Sequence, residues 1–140
     1  RPSRLYNRGL VLHYLELYDE DLAAFDRALE LRADDPAILD NRGNTLMALA
    51  RHQEALADYR RALELDPDRP HCRYMVACLF SLTGRPQEAL DWLHRAIARD
   101  STYRSMAAED PDLASLRDHP YLGLQLRQLL ASAAGGGATP

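Results

Sequence analysis

The chain has 140 residues, of which 46% are hydrophobic and 27% charged, with a formal net charge of −4. This length suits one domain, the acidic balance offers no basic footprint for nucleic acid, and no run of 18 apolar residues provides a transmembrane helix. Cys72 and Cys78, six residues apart on one predicted helix, lie roughly 9 Å apart along its axis and on different faces. They are too poorly placed to bridge, which favours a reducing, cytoplasmic location. The chain begins with Arg1 rather than Met, so removal of an upstream segment, with export after processing, stays open.

In chain order, a first helix (1A) is expected over about Arg4 to Leu17 and a second (1B) over about Glu20 to Leu31. The segment Leu10 to Tyr18 is apolar nearly all round, the pattern of a helix buried on several sides. At the start of the chain this implies either an upstream segment that covers it or a self-association surface on helix 1A around Val11 and Tyr14. Next, Leu39, Leu46 and Leu49 define one face of a helix that contains Gly43. A glycine inside a helix costs about 1 kcal/mol relative to Ala, so its presence predicts the close passage of a neighbour. Arg51-His52-Gln53 interrupts the pattern. A further helix over about Gln53 to Leu65 places Ala55, Leu56, Tyr59, Ala62 and Leu63 inward, with Ala55 and Ala62 expected to meet Gly43. Asp66-Pro67 ends that unit, because the residue before proline is pushed out of the α region.

Helices are then expected over about His71 to Leu82, stopped near Thr83-Gly84, and from Pro86, a favoured first-turn residue, to about Arg99. Beyond Tyr103 the pattern fades. A turn of helix is expected over Ser105 to Glu109, a short helix opened by Asp110-Pro111-Asp112 with Leu113 and Leu116 inward, and a last helix from Asp118-His119-Pro120. Tyr121, Leu122, Leu126, Leu129 and Leu130 form the apolar side of that last helix. Gly135-Gly136-Gly137 and its neighbours have the composition of a flexible tail.

The helical segments repeat at a fixed interval. Asn7-Arg8-Gly9 recurs as Asn41-Arg42-Gly43, Arg27-Ala28-Leu29-Glu30-Leu31 as Arg61-Ala62-Leu63-Glu64-Leu65, and Gln53-Glu54-Ala55-Leu56 as Gln87-Glu88-Ala89-Leu90, each 34 residues on. A fixed period with helix–turn–helix content marks a solenoid. The chain resembles the tetratricopeptide repeat (TPR) family. Residues 36–69 match its pattern best, through Leu39, Gly43, Ala55, Tyr59, Ala62 and Pro67. Residues 2–35 match through Leu5, Gly9, Phe25 and Ala28 but depart at Asp21 and Ala33; residues 70–103 match through Ala77, Ala89, Leu93 and Ala96 but depart at Arg73 and Ser101.

The resemblance implies an all-α fold, a right-handed α-solenoid of antiparallel helix pairs. Three repeats (2–35, 36–69 and 70–103) would be followed by capping helices over 104–131 and a tail over 132–140. It implies a protein-interaction scaffold that is not an enzyme, has no cofactor and takes a peptide or partner helix in the concave groove lined by the first helix of each repeat. Carried over residue by residue, the groove would present Tyr6, Leu10 and His13, then Asp40, Asn41 and Asn44, then His71, Tyr74 and Cys78. Asp40 between Tyr6 and Tyr74 would favour a basic ligand. The family's clamp for a C-terminal carboxylate is not matched: of its residues only Asn41 is present. The alternative is a structural or oligomerisation module with an empty groove.

No catalytic motif is present. His71, Cys72 and Cys78 lack the usual zinc spacings, and His13, His52, His94 and His119 are scattered. Arg8 and Arg42 stand where the family is usually apolar, with stems expected along a neighbouring helix; Arg8 is a candidate partner for Asp21.

Overall fold

The computed structural model describes the backbone of residues 4–136 and the side chains of residues 13–132. Its elements are α1 (Arg4–Leu31), α2 (Pro36–Ala48), α3 (His52–Leu65), α4 (Pro70–Leu82), α5 (Pro86–Arg99), α6 (Tyr103–Glu109), a 3-10 turn (Pro111–Leu113), α7 (Ala114–Arg117) and α8 (Leu122–Gly136). No strand occurs among the described residues, and none of their helices is long and apolar enough to cross a membrane. The chain divides into two compact units, Arg1–Pro67 and Asp68–Pro140. The division falls at the proline break: α3 ends at Leu65, and Asp66, before Pro67, is extended at φ −142°.

In the first unit, α2 opens on Pro36 and is capped by Asp35, whose side chain accepts a 2.9 Å hydrogen bond from the Ala37 N–H. It closes where Ala50 takes φ 57°, and a turn of three residues leads into α3. The two helices pack as an antiparallel pair. Leu39, Leu46, Ala55, Leu56, Tyr59 and Ala62 are buried between them and their surroundings, while Leu63 is only half-buried. The close passage predicted at Gly43 is present, but its partner differs from the expectation. A Cβ on Gly43 would lie 2.8 Å from the Tyr59 ring. Ala55 and Ala62 are fully buried, yet it is the aromatic ring, the larger group on the same inner face, that fills the space.

The first repeat departs from its expected form. Instead of helices 1A and 1B, α1 runs unbroken from Arg4 to Leu31. The two later pairs show why. Their turns sit at Ala50 and Gly84, both at positive φ (57° and 78°), and α5 begins on Pro86. The matching positions in the first repeat are Glu16 and Tyr18, within Leu15-Glu16-Leu17-Tyr18. Nothing there favours the left-handed region or blocks helix propagation. Arg8 and Asp21 therefore lie on one helix, 13 residues and roughly 20 Å apart, and cannot pair. The second half of α1 packs on α2, where Asp26 is bonded to Arg42.

In the second unit α4 and α5 form the expected pair, with Val76, Ala77, Leu79, Phe80, Ala89, Leu90, Leu93 and Ala96 buried. The helical segments that follow contribute Ala107, Leu113, Leu116, Leu122 and Leu126 to the same core. The Arg117 guanidinium donates to the carbonyls of Ala107 (3.1 Å) and Asp110 (2.6 Å), tying α6 to α7. His119 Nδ1 accepts from the N–H groups of Tyr121 (3.2 Å) and Leu122 (3.0 Å) and so starts α8. Tyr121, expected on the apolar side, is exposed because it precedes the first turn of α8. The helix continues through Ser132 to Gly136, residues expected to belong to the tail; residues 137–140 lie outside the described part.

Gly43→Ala adds a methyl group against a ring that cannot retreat, so it is expected to destabilise the chain by about 1–3 kcal/mol, despite a helix-propensity gain of about 1 kcal/mol. In a double-mutant cycle with Tyr59→Leu, urea unfolding followed by circular dichroism should give a favourable coupling of about 1 kcal/mol, since Ala77 and Leu93 already form that combination in the third repeat.

Candidate functional site

The candidate binding residues of the first unit lie on α1 and α2. Tyr6 and Leu10 lie in the helical backbone of α1, and their side chains fall outside the described residues. His13 is exposed on α1, its ring 6.1 Å from that of Tyr14. On α2, Asn41 and Asn44 are exposed, as are Ala37 and Ala48. The Asn44 carbonyl oxygen accepts a 2.5 Å hydrogen bond from the Tyr59 hydroxyl, so the residue that fills the seam also orients an amide on the outer face. Asp40 differs from the expectation. It is only 8% exposed, because its helical spacing to Gly43 puts it on the flank of the buried stripe rather than on the open face.

The second unit places His71, Tyr74 and Cys78 on α4. His71 is half-buried, whereas Tyr74 and Cys78, expected on an open face, are each 1% exposed. The chain's own C-terminal segment covers them. The Tyr74 hydroxyl donates to Asp110 Oδ2 at 2.6 Å, and its ring stacks on Tyr103 at 4.8 Å. Ser81 and Ser115 hydroxyls meet at 3.0 Å further along the same face. Burial, together with the neighbouring Cys78 and Asp110, pushes the Tyr74 hydroxyl well above its ordinary range. Burial and the carboxylates of Asp110 and Asp112 push the Cys78 thiol up in the same way.

Cys78, Asp110 and Asp112 bring potential metal-ligand atoms within 4.8 Å of one another. Asp110 Oδ2 already accepts from the Tyr74 hydroxyl at 2.6 Å and lies 3.9 Å from Cys78 Sγ. The group acts as a hydrogen-bonded latch between α4 and the segment that covers it. Cys72 is fully buried on the same helix, and neither cysteine is in a disulfide.

One arrangement was not read from the sequence. Arg42 Nε and Nη2 donate to the two oxygens of Asp58, both at 2.7 Å, and Nη1 donates to Asp26 at 2.9 Å. A single guanidinium thereby ties α2 to α3 and α1. The hydrogen bonds to Asp58 raise the Arg42 pKa further above its ordinary range against the opposing effect of burial, with Asp26 adding to the rise. Asp58 is 5% exposed, so this is a largely desolvated pair, while the Asp26 arm is open to solvent. The positions of Arg42 and Asp58 are held by Val76 and Trp92 in the third repeat and by Arg8 and Ala24 in the first, so the ionic pair is written in the second repeat alone. Beside the network lies a cleft of about 390 Å³, bordered by Leu22 and Leu46. The ionic groups of its wall are engaged with one another, Arg51 with Glu54 at 2.7 Å as well as Arg42 with its two aspartates.

Removing the guanidinium leaves Asp58 buried and uncompensated. Arg42→Met is expected to cost about 2–4 kcal/mol in chemical unfolding, and Arg42→Met with Asp58→Leu should recover most of that loss. Thiol titration tests the latch: in the folded chain Cys72 and Cys78 should react with a disulfide reagent about a hundredfold or more slowly than in denaturant.

Two family models match the chain, both described as tetratricopeptide repeat, one over residues 2–35 and one over residues 34–102. Among solved structures the fold is similar to the crystal structure of the TPR protein MamA, with a TM-score of 0.58 and 20% sequence identity over 83% of this chain and 84% of that one. No curated protein matches the sequence. Helix pairs of the expected period, an all-helical fold similar to a TPR solenoid, and repeat models that together span residues 2–102 place the chain in the tetratricopeptide repeat family.

Proposed function

We propose that the protein is an interaction scaffold that docks another protein along the exposed face of α2. The observation that carries this reading is a contrast between equivalent helices. On α2, Asn41, Asn44 and Ala48 are exposed at spacings of three and four residues, one turn apart on one side of the helix. On α4, Cys78, which matches Asn44, is 1% exposed beneath residues of the same chain and Met75, which matches Asn41, is half-buried, while Leu82 at the Ala48 position stays exposed. The α2 face is also held rigidly, by the Gly43–Tyr59 contact on one side and by Arg42 on the other. Small side chains let a partner backbone approach closely, and the Asn41 amide supplies a donor and an acceptor to it. Because little of this surface has to be ordered on docking, its contacts convert efficiently into affinity. The basic-ligand preference tied to Asp40 is no part of this reading, since Asp40 is withdrawn from solvent.

The test is retention of host proteins on the immobilised chain, compared with the variant Asn41→Arg/Ala48→Arg and identified by mass spectrometry. Two charges on an open helix face should leave helicity unchanged and lower the retained partner by about tenfold or more, equivalent to about 1.4 kcal/mol. Equal retention by both proteins would overturn the α2 reading.

A further inference from the structure

The cleft beside the Arg42 network is walled by α1, α2 and α3. Among its described lining residues, three carboxylates (Asp26, Glu54 and Asp58) stand against two guanidiniums, Arg42 and Arg51. The cations are shared unevenly. Arg42 holds both oxygens of Asp58, and Arg51 holds both oxygens of Glu54, at 2.9 and 2.7 Å. Asp26 receives only the remaining Arg42 nitrogen, on one oxygen. Its other oxygen accepts no hydrogen bond among the described residues, and its side chain is 60% exposed. Asp19, seven residues earlier and so on the same side of α1, adds a further negative charge. The Arg51 guanidinium is held above its ordinary pKa by its hydrogen bonds to Glu54, and the fields of Asp19 and Asp26 add to the rise. The cleft thus keeps an excess of negative charge next to an apolar surface made by Leu22, Leu46 and Ala57.

We propose that this cleft takes a basic side chain, lysine or arginine, from another protein, with the cationic head at Asp26 and the methylene stem along Leu22 and Leu46. Charge and surface both select this occupant. An acidic side chain would meet guanidiniums already engaged by Asp58 and Glu54, and the surplus carboxylates would repel it. A wholly apolar side chain would desolvate the open Asp26 oxygen and offer it no donor. A basic side chain satisfies both parts, because its stem lies on apolar surface while its head stays at the wet rim. The site is separate from the exposed surface of α2. Arg42 and Leu46 face the cleft, whereas Asn41 and Ala48 lie on another side of that helix.

The test is fluorescence anisotropy with the full chain and a labelled peptide carrying Lys at every third position among Ala and Gly, compared with its Glu-for-Lys counterpart. The Lys peptide should bind and the Glu peptide should not. Asp19→Asn/Asp26→Asn removes two charges from the cleft side of α1 and leaves Arg42 an acceptor at position 26. It should weaken binding by about tenfold or more, equivalent to about 1.4 kcal/mol, with an unchanged melting curve by circular dichroism. Glu20→Gln/Asp21→Asn removes the same charge from the other side of α1 and, at physiological salt, should change binding by less than about twofold. Ala57→Phe narrows the cleft without altering its charge and should also weaken binding. No binding of the Lys peptide, equal binding of the Glu peptide, equal weakening by the two charge variants, or wild-type binding by a folded Ala57→Phe variant would each overturn the proposal. Asn41 and Ala48 are unaltered throughout, so failure here and failure of docking on α2 are read separately.

Discussion

The constraint on which the α2–α3 pair depends is the size match between Gly43 and Tyr59. A buried tyrosine between two helices is possible only where the facing residue lacks a side chain, and at Gly43 even a Cβ would enter the Tyr59 ring at 2.8 Å. The Gly43 contact sets the local approach of α2 and α3. It buries the ring completely while its hydroxyl reaches Asn44 on the outer face. Packing and surface chemistry are thus joined through one side chain. Where the large partner shrinks to Leu93, the small one grows to Ala77, as dense packing of protein interiors requires.

A neighbouring pair of positions has two solutions in the same chain. In the second repeat it is Arg42 with Asp58, and in the third Val76 with Trp92. The ionic solution carries a desolvation cost that the apolar one avoids, and such pairs often stabilise no better than hydrophobic replacements. What the charged version adds is geometry. A bidentate guanidinium accepts only one orientation of its carboxylate, and the remaining nitrogen extends to Asp26 on α1. The docking of α1 on α2 is therefore fixed by a directional contact as well as by apolar burial.

The second unit closes itself. Tyr74, which a plain reading of the repeat leaves open for a ligand, is instead bonded to Asp110 and stacked on Tyr103. Folding of the segment over α4 depends on tight local chemistry. Arg117 bonds two carbonyls, and a Cβ on Gly123 would lie 2.4 Å from the Arg117 carbonyl oxygen. Such a cover shields a helix face that a stacked repeat otherwise leaves exposed.

The sequence by itself determined the helices from residue 36 onward, their pairing and the break at Pro67. These follow from local signals, such as the apolar period, Gly84 at a helix end and Pro86 at a helix start, together with their recurrence at a fixed interval. It also carried the small residues of the seams, though not that Gly43 faces a ring rather than Ala55 and Ala62. Tertiary structure decided the rest. Whether α1 turns near residue 17 depends on the balance between local helix propensity and the seam contacts a turn would gain, and no residue there commands a turn. Which candidate binding residues stay open depended on where the last segments settle, a long-range matter to which the spacing of Tyr74 and Cys78 is blind. The Arg42–Asp58–Asp26 network joins three helices through side chains 16 residues apart, a separation visible only once the helices are folded against one another.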